Sequence, residues 1–125
     1  MNRIHLAAAA AIASALVLSA PAAAERIRLV NINGYNVIDS QHLVLNGGAT
    51  RHYLVTLQRH CDGLRSGAAI GTSFPSTATL SLLHMEYLST ALEERCYIDT
   101  IEPVASLEAA RGMLEQRALE SEAAR

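Results

Sequence analysis

The chain carries two cysteines, Cys61 and Cys96, and their placement limits the fold more than any other feature. Cys61 follows the strongest strand pattern in the sequence, residues 51–58. There Tyr53, Val55 and Leu57 share one face, expected to be core, and His52, Leu54, Thr56 and Gln58 share the other. Cys96 opens a second apolar-rich run, Cys96-Tyr97-Ile98-Asp99-Thr100-Ile101. Bonded to each other, the sulfurs would clasp the middle of a small domain to its closing strand. A closed loop of about 35 residues stabilises by roughly 3–4 kcal/mol in the chain-entropy treatment, a large part of the ~5–10 kcal/mol usual for such a domain. The competing reading is a reactive or metal-binding thiol pair, which needs a reducing compartment or further ligands at suitable spacing.

Compartment therefore decides much, and the start of the chain speaks to it. Met1-Asn2-Arg3-Ile4-His5 is a short cationic start, residues 6–20 are an apolar run, and Pro21 followed by Ala22-Ala23-Ala24 supplies small residues. This is the three-part pattern of a secretory signal peptide over residues 1–24, with an A-x-A site cut after Ala24. The apolar run is shorter than the roughly twenty residues needed to cross a bilayer, so no transmembrane segment is expected after cleavage. No cysteine lies near the cut to take a lipid. A soluble periplasmic or secreted protein is the expectation, and in that compartment a disulfide is the favoured state of the cysteines.

Taking 24 residues from 125 leaves 101, enough for one small domain. Nine arginines against twelve acids then give a formal charge of −3, without the basic excess of a nucleic-acid binder. The core must rest on Leu, Ile and Val, with Tyr35, Tyr53, Tyr87, Tyr97 and Phe74.

Short strands separated by turns fill residues 25–105. Residues 26–32 alternate as an edge strand should, Asn33-Gly34 marks a turn, and Tyr35-Asn36-Val37-Ile38 is a second strand closed by Asp39-Ser40. His42-Leu43-Val44-Leu45 is a third, and Asn46-Gly47-Gly48 suits a hairpin loop into residues 51–58. Residues 68–74 form a weaker strand, while residues 79–88 fit either a hairpin or one irregular strand. The closing strand begins at Cys96 and is expected to stop at Pro103. Over residues 106–125 the period changes to helical: Ser106 is a good N-cap, Glu108 suits the first turn, and Leu107, Ala110, Leu114 and Ala118 form a weak stripe that should fray past about Leu119. The fold class is mainly β: a small antiparallel barrel or curled sheet of about six short strands with a C-terminal α-helix.

The segments Ile32-Asn33-Gly34-Tyr35-Asn36-Val37-Ile38-Asp39, Tyr53-Leu54-Val55-Thr56-Leu57 with Cys61, and Arg95-Cys96-Tyr97-Ile98-Asp99-Thr100-Ile101 occur in that order. Together they resemble the DUF6491 family, small exported proteobacterial proteins of unknown function. The resemblance covers roughly residues 26–107, and the YLVTL strand closely followed by Cys61 is its most specific motif. It implies export, often as a lipoprotein, and brings no catalytic residues with it. Tyr35 stands where relatives tend to have tryptophan. Two further cysteines common in relatives are missing together, which implies the loss of one bonded pair and leaves Cys61 and Cys96 as the other.

Candidate chemistry is sparse. His42, His52, His60 and His84 are weak metal candidates, with Cys61 as a thiolate, but no two sit at a recognised ligand interval. Asp39 and Asp99 are conceivable as a carboxylate pair for cell-wall glycans, although each also suits a turn or strand end. No serine lies in a nucleophile-elbow pattern, and Gly47-Gly48 is too short to cradle phosphate. Arg51, Arg59, Arg65 and Arg95 could gather near the cysteines and meet an anionic envelope polymer; the plainer reading is a solvated rim with Asp62, Glu93 and Glu94 as partners. Together these point to a non-catalytic binding or envelope-associated module with no cofactor, no nucleic-acid partner, an unidentified envelope component as partner and its ligand left open. The alternative is a periplasmic metal-binding protein using the histidines.

Overall fold

The computed structural model describes residues 26–125; the expected leader, residues 1–24, and Glu25 lie outside the described residues. The strands are β1 (Ile27–Leu29), β2 (Gly34–Asp39), β3 (His42–Gly47), β4 (Arg51–Leu57), β5 (Ile70–Thr72), β6 (Ala78–Leu80), β7 (Tyr87–Thr90) and β8 (Arg95–Val104), followed by helix α1 (Leu107–Ala123). Six of them form one antiparallel sheet in the order β2-β3-β4-β8-β7-β5, and β1 pairs with β6 in a second. The mainly β architecture with a terminal helix is as the sequence predicts. Its main sheet is a curled half-barrel, and the two-stranded sheet adds Ile27, Leu29 and Leu80 to the same core.

Alternation in β3 and β4 builds that core. Leu43 and Leu45 pair with Val55 and Tyr53 across the ladder, and these four side chains are buried with Leu57, Leu88, Ile98 and Ile101. Leu54, expected on the wetter face, is fully buried as well. The cause is α1, which lays Ala110 over Val44 and Leu54, with Leu107 and Leu114 alongside. Sequence reading placed the helix correctly but not the face it covers.

Other departures have local causes. The predicted strand over residues 26–32 stops at Leu29. Asn31 adopts φ 49° and turns the chain, its N–H donating to Thr77 Oγ1 at 3.0 Å. Residues 79–88 form neither a hairpin nor a single strand: β6 and β7 belong to different sheets, with a 3₁₀ turn, Leu83–Met85, between them. β8 continues through Pro103 to Val104 instead of ending there. β7 pairs with β8 only at Arg95, Cys96 and Tyr97, so one side of β8 is an edge near Pro103, where a missing N–H is tolerated. Gly47 is buried, and a Cβ on it would run into the carbonyl oxygen of Val30. A small residue is required there by close approach rather than by turn chemistry.

The helix starts as predicted, with Ser106 Oγ accepting from the Ala109 N–H at 3.0 Å. Helical structure runs to Ala123, with Gln116 Nε2 donating to Glu120 Oε1 at 3.2 Å. Its second attachment is a bidentate pair, Arg117 Nη1 and Nη2 on the two Glu102 oxygens at 2.9 and 2.8 Å. Among the described residues, no helix is long and apolar enough to cross a membrane.

The Glu102–Arg117 pair generates a pH prediction. The hydrogen bond from Arg117 holds the Glu102 carboxyl below its ordinary range, and it outweighs the opposing effect of burial. A lowered folded-state value means the pair stabilises above the unfolded carboxyl's pKa and is lost as pH falls through the folded one. Because the pair is partly exposed, Glu102→Gln is expected to cost only about 0.5–1 kcal/mol at pH 7. Urea titrations at several pH values should show that difference vanish on acidification below about pH 4.

Candidate functional site

Cys61 and Cys96 form a disulfide with a Cα–Cα distance of 5.9 Å, and both residues are buried. Local backbone bonds bring them together. The ladder register shifts between Thr56 and Leu57, Gln58 N–H donates to the Tyr97 carbonyl at 2.9 Å, and Cys61 N–H donates to the Ser40 carbonyl at 2.8 Å. The Cys61 turn is thereby held under Cys96, which pairs on its other side with Leu88.

A second lock crosses the same place. The turn between β7 and β8 is closed by the Glu93 N–H on the Thr90 carbonyl at 3.0 Å and the Thr90 N–H on the Glu94 carbonyl at 3.1 Å. Glu93 takes φ 59° to make it. Glu94 is thereby turned inward, and its Oε1 accepts from the Gly63 N–H at 2.8 Å. The same oxygen lies 3.3 Å from Cys61 Sγ; a bonded sulfur has no proton to donate, so this contact is packing. Gly63 is required because a Cβ would come within 2.5 Å of the buried Thr90 hydroxyl.

Beside this knot runs a groove of about 440 Å³ lined by Gln58, Arg59, His60, Glu94, Arg95, Cys96 and Tyr97. Period 2 puts Cys96 and Ile98 inside and Arg95 and Tyr97 outside; Tyr97 is 40% exposed. The Arg95 guanidinium lies over the Tyr87 ring, 4.8 Å from its centre, and the Tyr87 and Tyr97 rings meet at 5.5 Å and 59°. Gln58 Nε2 donates to the carbonyls of Ile98 at 3.0 Å and His84 at 3.3 Å. His60 Nδ1 is 2.6 Å from Ser40 Oγ.

Of the four arginines singled out in the sequence, Arg59 and Arg95 share this groove. Arg51 lines a different one, with Arg28, His52 and Pro103, and Arg65 is exposed beyond Cys61. The expected rim of ion pairs is not formed: among the described residues, Asp62, Glu93 and Glu94 make no salt bridge to these arginines. Tyr97 and Gln58 were missed by sequence reading, although alternation around Cys96 was enough to place Tyr97 outward.

The histidines go to four separate places. His42 Nδ1 lies 2.8 Å from Asp39 Oδ1, His52 Nδ1 lies 2.8 Å from Asn46 Oδ1, His60 meets Ser40, and His84 Nε2 is 3.3 Å from Asp99 Oδ1. Among the described residues, the ligand atoms that converge in a group of three belong to Cys61, Glu94 and Cys96, with no imidazole. Both sulfurs are held by the disulfide, and a thiolate is what a metal would need.

Asp39 and Asp99 line one groove of about 670 Å³ between α1 and the sheet, with His42, Glu102 and Arg117. Burial pushes the Asp39 carboxyl up, but hydrogen bonds from the Gln41 N–H and His42, together with the His42 charge, leave it below its ordinary value. That is the wrong direction for a general acid in glycoside cleavage.

The profile of DUF6491, a family of unknown function, matches residues 3–120, and the chain belongs to that family. No curated protein and no solved structure matches it.

Two substitutions test the knot. Replacing Cys61 and Cys96 together with alanine is expected to lower unfolding free energy by roughly 3–4 kcal/mol in urea melts. Gly63→Ala, with both cysteines kept, should cost about 1–3 kcal/mol because the added methyl overpacks against Thr90; thermal denaturation reads the loss.

Proposed function

We propose that this member of the DUF6491 family is an exported, non-catalytic binding domain. Its contact surface is the groove beside the disulfide, and its ligand is an anionic component of the cell envelope. The observation that carries the reading is the pair Arg59 and Arg95, which face one groove without a carboxylate partner among the described residues. Guanidinium groups left unpaired in a concavity raise the local potential and favour anions. The chain's net negative charge makes this a local feature rather than a general stickiness toward polyanions.

Export is supported by the leader pattern and by the disulfide, a bond that persists in oxidising compartments. A binding role, rather than turnover, is supported by how the groove's polar groups are held. Gln58, His60 and Glu94 are each fixed by hydrogen bonds to main chain or to Ser40, an arrangement that presents a preformed surface.

Two measurements test the reading. Calorimetric titration of the purified protein with dextran sulfate and with polyphosphate should show binding that weakens with salt. An Arg59→Ala/Arg95→Ala double variant should bind at least tenfold more weakly, with an unchanged melting temperature. Binding that survives the double substitution would place the anion site elsewhere. Fusion of residues 1–24 to a reporter active only outside the cytosol checks export, and a cytosolic, uncleaved fusion refutes it.

A further inference from the structure

The groove beside the disulfide combines two kinds of chemistry, and the geometry points to a ligand that needs both. That ligand is an acidic sugar chain, carrying carboxylates on pyranose rings, with one ring face on Tyr97 and carboxylates on Arg59 and Arg95. This rests on the binding reading above and narrows it from any anion to one class.

Three features lead there. Tyr97 is the exposed aromatic of the groove, at 40%. The electron-rich face of such a ring attracts the polarised C–H groups on the flat side of a sugar. The Arg95 guanidinium carbon lies over the Tyr87 ring at 4.8 Å; that cation–π contact restrains the side chain without using its N–H donors, which can take a carboxylate. Gln58 has its amide nitrogen engaged by two carbonyls, so its Oε1 is the end left to accept from a ligand hydroxyl.

A bare phosphate chain would satisfy the arginines alone. It would leave the Tyr97 ring and the Gln58 acceptor without partners, whereas a uronate-type polymer matches all of them in one site. Glu94 carries the one acidic group in the lining of this groove, and its Oε1 is committed inward to the Gly63 N–H at 2.8 Å, which leaves the arginines as the groups offered to the ligand.

The test uses the purified exported protein with three probes: a short oligogalacturonate, polyphosphate of matched charge, and a neutral dextran oligosaccharide. Oligogalacturonate is expected to bind, to weaken at least tenfold in Tyr97→Ala and in Arg95→Ala, and to keep its affinity in Tyr97→Phe, which retains the ring. Polyphosphate should bind more weakly and respond to Arg95→Ala but not to Tyr97→Ala; dextran should not compete. If polyphosphate binds as well as the uronate, or Tyr97→Ala changes neither, the sugar inference is overturned while the anion-binding reading stands. If neither anion binds, both fall. Tyr97 is on the surface, so its variants are expected to fold, and unchanged melting temperatures confirm that each loss is one of binding.

Discussion

The bond between Cys61 and Cys96 joins strands that are already neighbours. β4 pairs with β8 up to Leu57 and Ile98, and the disulfide continues that connection past the point where β4 leaves the ladder. What it encloses is the least regular part of the molecule: two three-residue strands, the four-residue β7, a 3₁₀ turn and long stretches of exposed loop. This segment contributes a handful of anchors, chiefly Leu64, Phe74, Leu80 and Leu88, to the shared core. Cross-linking its two ends restricts the unfolded chain most where the folded chain has least to hold it.

The main sheet is covered on both faces, by different means. One face carries the larger cluster, from Leu43 through Ile101, and the other carries a small patch under α1. The helix is centred on the row of Val44 and Leu54, with Ile38 and Val104 partly buried at the edges of the patch. The neighbouring row, Asp39, His42, Thr56 and Thr100, is left polar. Acidic side chains there have partners: Asp39 lies against His42, Glu102 pairs with Arg117 and, nearby, Asp99 lies against His84. The disulfide groove is the contrast, with two arginines that form no ion pair among the described residues. That difference is the ground for proposing a recognition surface there rather than under the helix.

Much of the fold was legible in the sequence because its longest elements have strong local signals. The alternation of residues 51–57, the Asp39-Ser40 turn, the Ser106 cap and the cysteine pair are each readable without tertiary information. What failed depends on which elements meet. Leu54 looked half-wet because nothing local says that Ala110 lands on it. Pro103 looked like a strand end because nothing local says that β7 has stopped pairing by then. Leucines at 80, 82, 83 and 88 fit either period, and only the separate pairing of β6 and β7 sorts them. Of the candidate site, the arginines were legible as residues but not as a pair, since Arg59 and Arg95 reach one groove only through the pairing of Gln58 with Tyr97 across the sheet.

Glu93 is the residue that makes the turn over that bond, and it does so in a left-handed conformation that suits glycine or asparagine better. A non-glycine residue in that region stores strain on the order of 1 kcal/mol. The turn thus keeps a reserve of stability undrawn, one residue before Glu94 in the groove wall. A chain under selection for robustness alone would be expected to have released it. The strained residue therefore sits inside a turn that two backbone hydrogen bonds close, and it sets the direction from which Glu94 reaches the Gly63 N–H.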